Sequence, residues 1–212
     1  DLRIDNVVTY GITRLAPMDF QFAAEKNQSI KLLVRAHLDE EGTPRLSVWP
    51  TMVPLEHPIA RVRGVTNTLY VDAEPIGPTM YTGPGAGQGS TGSGVISDIM
   101  AIAQAMDSET LGHMNPIEIP PEGRFDTSAT ERHPRRYLRI SGFGADKAAK
   151  TLSYPVLSES EWGAIVVAPA QSAKQRNAMM EHIKAEGLEE SNTCEIAVDL
   201  QDEGVDILAP TE

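Results

Sequence analysis

A single cysteine, Cys194, among 212 residues leaves no partner for an internal disulfide. No uninterrupted apolar run approaches the roughly 18–20 residues that a membrane-spanning helix needs. The first residues lack the basic-then-apolar pattern of a secretory signal. Together these absences set the expectation of a cytoplasmic protein that crosses no membrane. Positive charge is also scarce. Lys and Arg number 18 against 30 Asp and Glu, for a net charge of −12. A protein that grips phosphate backbones needs the opposite sign, so no nucleic-acid partner is expected, and anionic lipid is disfavoured as well. The acidity is uneven: residues 1–106 carry 8 basic and 11 acidic residues, a net of −3, which leaves −9 for residues 107–212.

Hydrophobic residues make up 41% of the chain, and counting Gly in and Tyr out brings this to roughly 47%, an ordinary globular value. Disorder of the whole chain is excluded, and the length allows at most two ordinary domains of about 150 residues.

The first half reads as β-rich. Val7 to Ile12 is a short strand. Pro17 and Asp19 suit the first turn of a helix that runs to Lys26 and stops at Asn27, a residue that tolerates a left-handed conformation. Ile30–Leu38 alternates, turns polar at Asp39-Glu40-Glu41-Gly42, and is answered by Leu46–Val53, which predicts a hairpin. Two further β-rich runs, Thr68–Val71 and Pro78–Tyr81, lead into a glycine-rich loop over Gly83–Gly94. A helix follows, with Val95, Ile96, Ile99, Ile102, Ala103 and Met106 at helical spacing.

Residues 107–133, broken by Pro116, Pro120 and Pro121, read as a linker. Beyond it lies a second module over 134–200. Its expected elements are a strand at Tyr137–Ile140, a helix at Ala145–Leu152, a buried strand at Trp162–Val167, a helix capped by Ser172 and ended at Gly187, and a last strand at Cys194–Leu200. With room for another strand near 154–157, this order suggests a ferredoxin-like fold. The tail, 201–212, is acidic. The fold class is therefore α+β: a mixed or antiparallel sheet with helices on one face, then a small ferredoxin-like module.

Glycines allow several backbone N–H groups to turn toward one anion. The Walker form is absent, because no Lys-Ser or Lys-Thr pair follows the glycines. Gly87-x-Gly89-x-x-Gly92 imitates a dinucleotide fingerprint, but the helix runs into a proline-broken linker and not into a second parallel strand. The segment is thus either one wall of a cofactor site or a tight strand-to-helix junction with no ligand.

A set of short motifs goes further. Gly11-Ile12-Thr13, Asp19, Ile30-Lys31-Leu32-Leu33, Pro54, His57-Pro58-Ile59-Ala60-x-Val62-x-Gly64-x-x-Asn67, Gly83-x-Gly85-Ala86-Gly87, Thr91 and Asp98 resemble homoserine dehydrogenase, in order, over about residues 7–106. The resemblance implies NAD(P)-dependent hydride transfer between L-homoserine and L-aspartate 4-semialdehyde, on the route to threonine and methionine. It implies an N-terminal nucleotide-binding domain, a catalytic and dimerisation region of which residues 1–106 are the C-terminal part, a homodimer, and often a C-terminal ACT regulatory domain. The nucleotide turn and the catalytic lysines and acids of the family lie upstream of the Gly-Ile-Thr motif. No catalytic residue is therefore assigned here, and no cofactor is expected on this chain alone. Carried over by position, Gly85, Ala86 and Gly87 would approach the cofactor near the nicotinamide. The sequence departs from the family at Asn27, Ser90, Gly92 and Gly94. In the second module the family's acid-x-Pro-Gly turn is replaced by Gly142-Phe143-Gly144-Ala145, so an ACT-like docking or dimerisation module fits better than an amino-acid sensor.

Other chemistry-bearing residues take structural readings. His37, His57, His113, His133 and His182 show no ligand spacing, so no metal site is expected. His57, before Pro58, reads as a turn residue. Arg132, Arg135, Arg136 and Arg139 read as charges flanking a strand and paired with nearby acids. Cys194 reads as a small buried hydrophobe, and Met179-Met180 as core filling. Two functions of different class stay open: part of a homoserine dehydrogenase, or a non-catalytic regulatory or amino-acid-binding dimer.

Overall fold

The computed structural model of the chain describes residues 7–38, 44–107 and 132–198. The hairpin tip Asp39–Gly42, all but the ends of the 107–133 linker and the 201–212 tail lie outside the described residues. The elements in the first half are β1 (Val8–Thr9), α1 (Pro17–Glu25), β2 (Gln28–Leu38), β3 (Pro44–Pro54), β4 (Thr66–Ala73), β5 (Gly77–Pro84) and α2 (Gln88–Asp107). The second half holds β6 (Arg132–His133), β7 (Arg136–Ser141), α3 (Ala145–Leu152), β8 (Val156–Ser160), β9 (Gly163–Ala168), β10 (Gln171–Ser172), α4 (Ala173–Ala185) and β11 (Thr193–Ala197). Spatially the chain divides into residues 1–56 with 122–212, and residues 57–121. That is a division by packing, whereas 1–106, 107–133, 134–200 and 201–212 divide the chain by sequence character.

The first unit is built on a seven-stranded mixed sheet. β2 and β3 pair antiparallel from Gln28↔Pro54 to Leu38↔Pro44. On its other edge β3 takes β1 and β11, both parallel. β7, β9 and β8 continue outward from β11, each antiparallel to its neighbour. The strand from the far end of the chain thus joins the sheet begun by the first fifty residues, and the two stretches share one core.

Local signals fix several boundaries. Pro17 opens α1, and the Asp19 carboxylate accepts the Ala16 N–H at 2.8 Å. Asn27 follows the helix at φ 53° and turns the chain into β2. Ser172 caps α4 by accepting the Gln175 N–H, and Gly187, at φ 80°, follows its end.

Helices lie on both faces of the sheet, not on one as the sequence reading had it. α3 and α4 pack on Leu138, Ile140, Ala164, Val166 and Ala168. α1 packs on the opposite face, where Ala23 meets Met52, Tyr137, Val167, Cys194 and Ile196. Successive residues of a strand point to opposite faces, and β7 and β9 carry large side chains on both. Each face therefore needs its own cover. Met179 and Met180 fill the α4 side and Cys194 the α1 side, all three buried. Trp162, read as the start of a buried strand, instead sits in the turn before β9, 67% exposed, with its ring edge-on to Phe143.

In the second unit β4 and β5 form a hairpin from Thr66↔Pro84 to Ala73↔Gly77. α2 begins at Gln88, so the back half of the expected glycine loop is helical. Each helical glycine costs up to about 1 kcal/mol relative to alanine but imposes no steric bar. Both buried clusters lie in the first unit, and Ala60 is the one buried residue among the described residues of the second.

Candidate functional site

The glycine junction is shaped by two positions out of its many glycines. The Gly85 N–H donates to the Val65 carbonyl at 2.7 Å. A Cβ at Gly85 would overlap the Asn67 side chain, so two pieces of the sequence motif, 18 residues apart, meet here. Gly87 has φ 135°, a conformation that side-chain-bearing residues rarely adopt. Its carbonyl accepts the Thr91 N–H at 3.0 Å and the Ser90 hydroxyl at 3.1 Å, which closes the first turn of α2. By contrast Gly83, Gly89, Gly92 and Gly94 have open space where a Cβ would stand. The result is a strand-to-helix turn with exposed backbone at residues 85–87, held by its own hydrogen bonds.

His57 takes the turn role expected of it. Its Nδ1 accepts the Ile59 N–H at 3.3 Å, capping the short helix Pro58–Arg61, and its ring lies 4.8 Å from that of Tyr70. Partial burial holds its pKa below the ordinary histidine value.

The first unit carries a polar network that sequence reasoning read only in part. Arg136 and Arg139 are paired with acids, as expected, but they are buried inside the sheet, not beside it. On the α1 face, Asp19 accepts Arg139 Nε at 2.7 Å, Arg139 Nη2 at 3.0 Å and the Tyr137 hydroxyl at 2.8 Å. On the α4 face, Glu195 lies 3.2 Å from Arg136 Nε and accepts Arg176 at 2.6 Å, while Arg176 reaches Glu190 at 2.8 Å. The Arg176 guanidinium also sits 5.0 Å over the Tyr10 ring, which stacks on Trp49.

Where β1 and β11 meet along β3, a cleft of about 350 Å³ opens between the Thr9–Arg14 segment and Glu190, Cys194 and Glu195. Of its charges, Arg14 lies 3.7 Å from Glu190 and Glu195 is held by Arg176 at 2.6 Å, while Glu195 Oε2 is buried and accepts no hydrogen bond from the described residues. Burial pushes the Cys194 thiol up to about 12, so at neutral pH it is a protonated hydrophobe and no nucleophile. Among the described residues no group of three His, Cys, Asp or Glu side chains could hold a metal ion.

Residues 1–100 match the family model described as homoserine dehydrogenase. A curated homoserine dehydrogenase of Helicobacter pylori is 38% identical over 122 residues, 57% of this chain and 28% of that protein. One from Pseudomonas aeruginosa is 35% identical over 133 residues, 63% of this chain and 29% of that protein. Among solved structures, a homoserine dehydrogenase from Thiobacillus denitrificans aligns with TM-score 0.62 and 25% identity, covering 93% of this chain and 48% of that one. The Staphylococcus aureus enzyme aligns at TM-score 0.55 and 22% identity, a likeness of fold alone. The chain thus spans less than a third of these curated relatives and about half of the solved chains.

Proposed function

We propose that this chain, whose residues 1–100 match the homoserine dehydrogenase family model, supplies the C-terminal part of the catalytic and dimerisation region of such an enzyme, together with an ACT-like module. The enzyme interconverts L-homoserine and L-aspartate 4-semialdehyde with NAD(P), in threonine and methionine biosynthesis. The observation that carries this reading is the coincidence of the family match with a glycine turn that two motif pieces build, at Asn67–Gly85 and Gly87. Gly85, Ala86 and Gly87 form one wall of the cofactor site. Bare backbone there lets a nicotinamide approach to the van der Waals contact that hydride transfer needs. The cofactor supplies the hydride chemistry, and this chain holds the ring in place.

A ferredoxin-like reading of the module over 134–200 is supported by the strand order β11-β7-β9-β8, with α3 and α4 together on one face. Its turn before α3 spends its backbone donors within the fold. Gly142 N–H goes to the Trp162 carbonyl and Gly144 N–H to that of Glu161, both at 2.9 Å. That arrangement favours docking over amino-acid sensing. A homodimer is favoured by β2, whose one strand neighbour among the described residues is β3 and whose Leu32 and Val34 are 50% and 77% exposed.

The test is a fusion in which this chain replaces the matching half of the Thiobacillus denitrificans enzyme. We expect a dimer by light scattering that oxidises homoserine with NAD(P). The 212 residues alone should bind no cofactor and show no turnover. A folded, dimeric fusion without homoserine-dependent cofactor reduction would overturn the reading.

A further inference from the structure

Resting on that reading, we propose that Asn67 is a cofactor-binding residue: its side-chain amide pairs with the carboxamide of the nicotinamide ring, and position 85 is glycine to make room for it. Asn67 lies on β4 opposite Gly83 of β5, near the end of the hairpin that leads into the turn. A Cβ on Gly85 would collide with Cγ, Oδ1 and Nδ2 of Asn67 at once. The amide plane therefore fills the side of Gly85 where any other residue carries its side chain. Unlike Gly87, Gly85 has a φ outside the left-handed region. Close approach, and not backbone conformation, is what calls for glycine there.

The chemistry of the group narrows its ligand. An amide offers two N–H donors and a carbonyl acceptor. Among the described residues this one takes no hydrogen-bond partner. Asn67 and residues 85–87 are exposed, so the amide is open to a ligand at the turn. From Gly64 to Met106 the chain carries no Lys or Arg, and Arg63, ahead of β4, is the nearest cation in sequence. A phosphate or carboxylate only accepts hydrogen bonds, so it would leave the Asn67 carbonyl without a donor and gain no countercharge from the hairpin or the turn. A primary carboxamide donates and accepts along one planar edge. It can pair with the Asn67 amide through two hydrogen bonds. The nicotinamide ring carries such a group beside the carbon that exchanges hydride. Holding it sets which face of that carbon is presented.

Binding tests this without relying on turnover. In the fusion, NADH or NADPH is titrated by its fluorescence. ADP-ribose, or its 2′-phosphate for an NADP-preferring fusion, is titrated by calorimetry; it keeps the pyrophosphate and lacks the nicotinamide. Asn67→Ala should raise the Kd of the reduced cofactor at least about tenfold, as expected for a carboxamide left unpaired, and leave that of ADP-ribose unchanged. Gly85→Ala should weaken the cofactor similarly by displacing the amide, and should cost nothing further once Asn67→Ala is present. Unchanged cofactor binding by Asn67→Ala would overturn the proposal and leave the functional reading in place. Equal weakening of cofactor and ADP-ribose would also overturn it, since the amide would then serve the phosphates or the fold. A further loss from Gly85→Ala on top of Asn67→Ala would overturn the role given to the glycine. A folded parent fusion that binds no dinucleotide would sink both the reading and the proposal. Cofactor binding that depends on Asn67 in a fusion that does not oxidise homoserine would sink the reading alone.

Discussion

Asp19 and Arg139 are 120 residues apart in sequence and joined by two hydrogen bonds, Nε to Oδ1 at 2.7 Å and Nη2 to Oδ2 at 3.0 Å. The acid opens α1, and the arginine lies on β7 in the second module. Asp19 is fully buried, and its Oδ2 also accepts the Ala16 N–H that starts the helix. One carboxylate therefore caps a helix and ties the first fifty residues to the module beyond the linker.

Removing that carboxylate leaves a buried guanidinium without its charge partner, a loss of about 3–5 kcal/mol. Asp19→Ala should lower the unfolding free energy from urea titration by that amount, and adding Arg139→Met should recover part of it. Equal stabilities for wild type and Asp19→Ala would show that the tie does not hold the unit together.

Burial of Cys194 sets a second expectation. With its pKa pushed up to about 12 and 3% of its surface exposed, it should resist thiol reagents at pH 8 in the native state and react within minutes in 6 M guanidinium. Its labelling rate should keep rising with pH to 10 without a plateau. Rapid labelling of the native protein at pH 7 would contradict its place between α1 and the sheet.

The turn over Gly142–Ala145 bears on regulation. A carboxylate needs backbone donors that point outward, and those of Gly142 and Gly144 are already bonded to carbonyls before β9. Calorimetry with threonine up to millimolar concentration should show no saturable heat from residues 134–200. Stoichiometric heat would restore the sensor role to this module.

What could be read from sequence was whatever rests on local chemistry. Asn27, Ser172 and Gly187 end or begin helices through their own backbone preferences and neighbours within three residues, so each was visible. The hairpin of β2 and β3 was visible through alternation. The Asp19–Arg139 tie was not, because no short-range pattern encodes a contact across 120 residues. Asp19 announced itself as a first-turn acid, which it is, and its second role is tertiary. The start of α2 at Gln88 was hidden by glycines, whose cost is small enough for a helix to absorb. Of the glycine run, sequence singled out residues 85–87 through resemblance. The structure adds a reason at two of them: crowding by Asn67 at Gly85, and a positive φ at Gly87.

The two glycines Gly87 and Gly89 give the most direct test of the account, in the fusion that joins this chain to the remaining half of the Thiobacillus denitrificans enzyme. Gly89 lies in α2 with open space around it, so Gly89→Ala should leave turnover unchanged and stabilise by up to about 1 kcal/mol. Gly87→Val forces a branched side chain into φ 135°, about 1–3 kcal/mol of local strain, at the backbone proposed to face the cofactor. Steady-state kinetics should show homoserine oxidation falling at least tenfold and the cofactor KM rising for Gly87→Val, with the dimer intact. A Gly87→Val enzyme with unchanged turnover and unchanged cofactor KM would contradict the claim that this turn forms a wall of the nicotinamide site.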